Sequence, residues 1–187
     1  MKISVCGKGG SGKSTVVTLL ANQARARGYR VLVVDSDESN SGLFRILGFD
    51  HPPLRKLSLS RDEIAIVDME AGVEHFGRGV ETSIDSVLIV VEPSFESLQL
   101  AERINKLSRG IGVDNIWAIL SKVPSNGIAS KLKGELDTKG IDMIGCIHYD
   151  EDIFQSSLEG LSFGKAKASE EIIDVFDSIV SRANSGH

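Results

Sequence analysis

The sequence predicts an α/β domain: one doubly wound, mainly parallel sheet with helices on both faces. Three observations lead there. Short apolar runs alternate with longer amphipathic ones along the whole chain. The short runs are apolar at consecutive positions, as strands covered on both faces are. Stretches long enough to hold a helix separate them, which parallel neighbours require.

Taken in order, "KISVCG" (2–7) reads as a buried strand and "KSTVVTLLANQARARG" (13–28) as a helix ending at Gly28. "RVLVVDSD" (30–37) is a second strand, and "SGLFRILG" (41–48) a short helix stopped by Gly48. "EIAIVDM" (63–69), "SVLIVVEP" (86–93), "IWAILSKV" (116–123) and "DMIGCI" (142–147) supply four more strands. Helical patterns lie between them at "SFESLQLAERINKLSRG" (94–110) and "IASKLKGELDTKG" (128–140). "SEEIIDVFDSIVSRA" (169–183) is a last helix with an acidic start, packing Ile172, Ile173, Phe176, Ile179 and Val180 on the domain. "DHPPLRKLSLSRD" (50–62), proline-bearing and locally basic, receives no structure. The pattern is that of a single domain over 1–183 with a disordered tail at 184–187.

Composition narrows the function classes. The 187 residues suffice for one core, and 41% hydrophobic with 25% charged residues is a globular, soluble balance. A net charge of −5 provides no overall basic field for nucleic acid or anionic lipid. No apolar run approaches the roughly 20 residues that a bilayer needs. A glycine-rich loop interrupts the N-terminus too early for a signal peptide, so the expected location is cytoplasmic. Cys6 and Cys146 lie in apolar runs and are expected to be buried thiols. There is no CxC, CxxC or Cys/His cluster to hold a metal.

The chemistry concentrates at "GKGGSGKS" (7–14), which fits G-x-x-x-x-G-K-[ST] between a strand and a helix, the context of a P-loop. Gly9, Gly10, Ser11, Gly12, Lys13, Ser14 and Thr15 are the expected phosphate cradle. The glycines turn backbone N–H groups inward, and the helix adds its positive end. Lys13 brings a point charge and Ser14 a hydroxyl for Mg²⁺. Carboxylates at neighbouring strand ends complete the set. Asp35 and Asp37 come from "VVDSD" and Asp68 from "IAIVDMEAG". Ser14, Asp35 and Asp68 are expected to hold Mg²⁺ directly or through water. The backbone of Gly72 can approach a γ-phosphate and move when it leaves. The competing reading of the aspartates is as caps of the following turns.

The loop has a second lysine, Lys8, which a plain P-loop does not need. With it, the loop resembles the deviant "KGGxGK[ST]" form of the MinD, ParA, Mrp and nitrogenase iron-protein superfamily. That resemblance implies ATP-driven homodimerisation, with Lys8 reaching the partner's nucleotide much as an arginine finger does. It implies catalytic roles for Lys8, Lys13 and Asp37, the last orienting the attacking water. The alternative is a solvated loop lysine.

Residues 67–107 are similar to the CooC-type ATPases that mature carbon monoxide dehydrogenase. The match rests on "D-M-x-A-G-x-E-H-x-x-R-G", filled by Asp68, Met69, Ala71, Gly72, Glu74, His75, Arg78 and Gly79. The resemblance implies ATP and Mg²⁺ as cofactors and a metalloenzyme client such as carbon monoxide dehydrogenase, with help in nickel insertion. It also places Ser121, Lys122, His148 and Tyr149 around the base. Ser121 stands where the family has Asn in "N-K-V", and His148 where it has Pro in "I-P-Y". The family's CxC segment is reduced here to "GFDHPPLRKLSLSRDE" (48–63), without cysteine, so the transition-metal role is not carried over. Glu74, His75 and Arg78 read as a salt bridge and cap, a partner surface or part of a metal site.

Two other functions fit poorly. The last helix sets Glu170, Glu171, Asp174 and Asp177 against Arg182, which is wrong for an anionic membrane. Lys131, Lys133 and Lys139 sit among Glu135 and Asp137, a solvated face rather than a nucleic-acid surface. The expectation is thus a dimerising, CooC-like switch ATPase. The alternative is a nucleotide-gated protein-interaction module of the MinD/ParA type with no metal role.

Overall fold

The computed structural model describes residues 1–36, 43–47, 63–69, 84–159, 161 and 167–184. The expected strands are all present: β1 (Lys2–Gly7), β2 (Arg30–Asp35), β3 (Glu63–Asp68), β4 (Ser86–Val91), β5 (Asn115–Val123) and β6 (Asp142–His148). They form one sheet in the order β2-β3-β1-β4-β5-β6, with every neighbouring pair parallel. The helices are α1 (Lys13–Ala26), α2 (Leu43–Ile46), α3 (Phe95–Gly110), α4 (Asn126–Thr138), α5 (Glu151–Glu159) and α6 (Ala168–Asn184).

The unbroken apolar runs have the cause the sequence suggested, because each strand feeds two cores. In β4, Leu88 and Val90 point to a core shared with α1 and α6, including Val16, Leu20, Ile172 and Phe176. The alternate residues Val87, Ile89 and Val91 belong to a second core with Leu98, Ala101 and Ile104 of α3 and Leu132 and Leu136 of α4. This is the pleat of a strand covered on both sides.

The boundaries differ in detail. β2 ends on Asp35, and β4 ends at Val91, before Glu92 and Pro93. The N-terminus of α4 lies earlier than expected, because Ser125 accepts a hydrogen bond from the backbone N of Ile128 and fixes the start at Asn126. α5 falls where no helix was assigned. Helix α6 buries Ile172, Phe176 and Ile179 as expected, with Ile173 and Val180 half-buried. It also buries Val175, which rests on the backbone of Gly145; a Cβ there would lie 2.2 Å from Val175 Cγ2. Of the two cysteines, neither in a disulfide, Cys6 is buried, whereas Cys146, on β6, is only half-buried. Burial and the nearby Glu171 charge still push the Cys146 thiol up to about 11.

The chain runs from β1 to the edge strand β2, returns to β3 between them, then crosses to β4 and proceeds the other way through β5 and β6. The order therefore reverses between β1 and β4. The crevice at the carboxyl ends of these strands is where such sheets bind ligands.

Candidate nucleotide site

The loop that leaves β1 opens into this crevice. Gly12 is the N-cap of α1, with φ 95° and no side-chain cap. A Cβ on Gly12 would lie 2.8 Å from Ser121 Oγ at the end of β5, so both φ and space select glycine. With no acidic residue in its first turn, α1 presents an unneutralised positive end to the loop.

The two lysines are disposed differently. Lys13 is buried, 6% exposed, and its Nζ donates to the backbone O of Lys8 at 3.5 Å, inside the loop. Lys8 is partly exposed, and its Nζ donates to Glu92 Oε1, just past β4, at 3.0 Å. The hydrogen bond and charge of Glu92, with a smaller contribution from Glu96, raise the Lys8 pKa above the ordinary lysine value. Lys122, at φ 57°, returns across the loop and donates to the Gly10 carbonyl at 2.6 Å. Ser11 is fully buried, and its backbone N donates to Lys8 O at 3.1 Å.

On the β3 side, Ser14 Oγ donates to Asp68 Oδ2 at 2.7 Å. Asp68 is 1% exposed, and its backbone O accepts from Ser36 Oγ at 2.6 Å. Asp35 is the register partner of Asp68 on β2. A hydroxyl and a carboxylate in contact beside a phosphate-type loop are hard oxygen donors, so the residues fit Mg²⁺.

On the opposite side, β5 and β6 bring Ser121, Lys122, His148 and Tyr149 to one edge of the crevice. Ser121 is buried beneath Gly12. The His148 ring bridges two elements: Nδ1 lies 2.8 Å from Glu171 Oε1 of α6, and Nε2 lies 2.9 Å from Asn126 Oδ1 of α4. Tyr149 is half exposed and its hydroxyl donates to Glu151 Oε2 at 2.9 Å.

The family model of the CobQ/CobB/MinD/ParA nucleotide binding domain matches residues 3–163. The chain belongs to this family. Among relatives of this MinD/ParA-type chain, an ATP-binding protein of Methanocaldococcus jannaschii, MJ0823, is 38% identical over 135 residues, covering 70% of this chain and 51% of its own. The chain thus spans about half the length of that relative. The carbon monoxide dehydrogenase accessory protein CooC of Rhodospirillum rubrum is 28% identical over 235 residues, covering 87% of this chain and 89% of its own. Among solved structures, the MinC:MinD cell division protein complex of Aquifex aeolicus gives a TM-score of 0.81 at 19% identity, over 96% and 95% of the two chains. MinD of Pyrococcus horikoshii with Mg-ADP gives 0.77 at 18% identity, over 97% and 96%. These likenesses show the fold of a MinD/ParA-type P-loop nucleotide-binding domain.

The structure brings the loop residues 8–15, Asp35 and Asp68 to one crevice, with Ser121, Lys122, His148 and Tyr149 along its far edge. Asp37, Gly72, Glu74, His75 and Arg78 lie outside the described residues. So do the segment 48–62 and the tail 185–187. Reading along the chain missed Glu92, Asn126 and Glu171 as partners of site residues. Glu92 carried a usable signal, because an acidic residue closing the apolar run "SVLIVVE" has the same pattern that marked Asp68 in "EIAIVD".

Proposed function

We propose that this P-loop domain is a CooC-like switch ATPase, which binds ATP with Mg²⁺, closes as a homodimer and hydrolyses ATP to ADP and phosphate. The observation that carries the reading is the division between the two lysines. Lys13 is buried within the loop, whereas Lys8 is partly exposed and its amine is engaged by Glu92, not by the loop. A lysine in the second position can serve a nucleotide held by another subunit.

In this reading, the backbone of Gly9–Thr15 and the Lys13 ammonium bind the phosphates. Ser14, with Asp35 and Asp68 directly or through water, holds Mg²⁺, which when bound neutralises charge on the β- and γ-phosphate oxygens. Asp37 orients the attacking water, and Gly72 senses the γ-phosphate. Ser121, Lys122, His148 and Tyr149 border the base; the amine of Lys122 also supports the loop. Likeness to CooC over most of both chains favours a role in maturing a metalloenzyme, with nickel as cargo and a client such as carbon monoxide dehydrogenase.

A second reading is a nucleotide-gated module that binds a protein without handling metal. The cysteine-free 48–63 segment favours it. The first experiment is solution molar mass with Mg²⁺-ADP and with a non-hydrolysable Mg²⁺-ATP analogue, for wild type and Lys8→Ala. The switch reading expects a dimer only with the ATP analogue, weakened in Lys8→Ala. A monomer in every state overturns it. Stoichiometric Ni²⁺ binding in one nucleotide state separates the maturation reading from the metal-free one.

A further inference from the structure

We propose that Glu92 is a positioning residue for Lys8: its carboxylate retains the loop's second lysine within its own subunit until a partner's phosphates take the lysine over. This rests on the reading of Lys8 as a charge delivered across a dimer, and adds the residue that regulates the delivery.

The contact is built from two directions. Lys8 follows β1 and Glu92 follows β4, 84 residues away in sequence, across the point where the strand order reverses. The start of α3 holds Glu92 in place. The backbone N of Glu92 donates to Ser97 Oγ at 3.1 Å, and Ser94 Oγ donates to Glu92 Oε1 at 3.4 Å. The carboxylate therefore sits at a set position beside the loop instead of sampling solvent.

The loop does not need this pair for its shape. Its backbone is tied by Ser11 N to Lys8 O and by Lys122 Nζ to Gly10 O. The Lys8–Glu92 bridge acts on side chains alone. It is also open to exchange, with the side chains 38% and 21% exposed. A carboxylate offers one negative charge, whereas a triphosphate offers several with more acceptor oxygens. A partner's nucleotide at this edge therefore outcompetes Glu92, while water and isolated anions do not. An exposed pair of this kind is weak, so Glu92 sets a threshold and does not lock the site.

The test is the protein concentration at which half the chains are dimeric with the Mg²⁺-ATP analogue. It is measured for wild type, Glu92→Gln, Glu92→Asp, Lys8→Ala and the Lys8→Ala/Glu92→Gln pair. Glu92→Gln should lower that midpoint by about two- to fivefold, the worth of an exposed ion pair. Glu92→Asp should return it toward wild type, and Glu92→Gln should have no effect in the Lys8→Ala background. In the nucleotide-free protein, the ¹³C-dimethylated Lys8 amine should titrate lower in Glu92→Gln than in wild type, which reads the contact without a dimer. An unchanged or raised midpoint in Glu92→Gln overturns the proposal while leaving the dimer reading intact. The same shift in both Lys8 backgrounds also overturns it, because Glu92 then acts through another group. Absence of a dimer in wild type overturns the dimer reading, and the retaining role of Glu92 with it.

Discussion

Strands β1 and β4 are neighbours, and each is followed by a helix, yet the two helices begin in opposite ways. Helix α3 finishes its own N-terminus: Ser94 accepts from the backbone N of Ser97 at 3.2 Å, and Glu96 places a negative charge in the first turn. Helix α1 has Gly12 as N-cap, no side-chain cap and no acid in its first turn, and its first residue is the cation Lys13. A lysine at the positive end of a helix is locally unfavourable, as is an uncapped turn. Helix α1 lacks what α3 supplies for itself. The difference marks the α1 terminus as the end whose N–H groups and dipole are open to an anion. Lys8–Glu92 links the two regions, since one partner belongs to the open terminus and the other to the finished one.

The largest effect should come from Lys13→Ala. Removing a buried charge-assisted donor to phosphate should weaken ATP binding by about 10- to 100-fold in calorimetry. Thermal stability of the nucleotide-free protein should not fall, because a cation leaves a positive helix end. A loss of stability with retained affinity would mean that Lys13 is structural and that the contrast between the two termini has been misread. Gly12→Ala attacks the same terminus through its backbone. It forces a side chain into φ 95° and to within 2.8 Å of Ser121 Oγ. It should cost about 1–3 kcal/mol of stability by denaturant unfolding and also weaken ATP binding. Gly12→Ala should therefore lose both properties where Lys13→Ala loses only one.

Much of this contrast was written locally in the sequence. The loop is legible because its glycines, lysine and serine lie within a few residues of one another. The strands are legible because a sheet covered on both faces leaves apolar runs unbroken. What was not legible depends on strand order. Lys8 meets Glu92 only because β1 lies beside β4, and His148 meets Asn126 and Glu171 only because β6 carries it between α4 and α6. No local spacing records such pairings. Helix α5 escaped for another reason: "EDIFQSSLE" is only nine residues long, and its apolar residues, Ile153, Phe154 and Leu158, are too few to stand out as a periodic pattern. The early start of α4 was hidden by Gly127, a poor helix former that the Ser125 cap outweighs.

The smallest effect, and the sharpest control, is expected at the finished terminus. Ser94→Ala removes the acceptor of the Ser97 N–H and leaves the first turn of α3 unsatisfied. Such a cap is worth about 1 kcal/mol, so the denaturant midpoint should fall with an unchanged slope. Glu96 remains in the turn and still opposes the helix dipole, which limits the loss. ATP should compensate differently at the two ends. A ligand that binds only the folded chain adds stability according to its own affinity, so at protein concentrations that keep the chain monomeric, where the hold of Ser94 on Glu92 has no dimer to act on, saturating ATP should raise wild type and Ser94→Ala by nearly the same amount. It should raise Lys13→Ala much less. If ATP instead rescued Ser94→Ala beyond wild type, the end of α3 would itself be responding to nucleotide. The two helix ends would then form one coupled device, and the division between a finished terminus and an open one would fail.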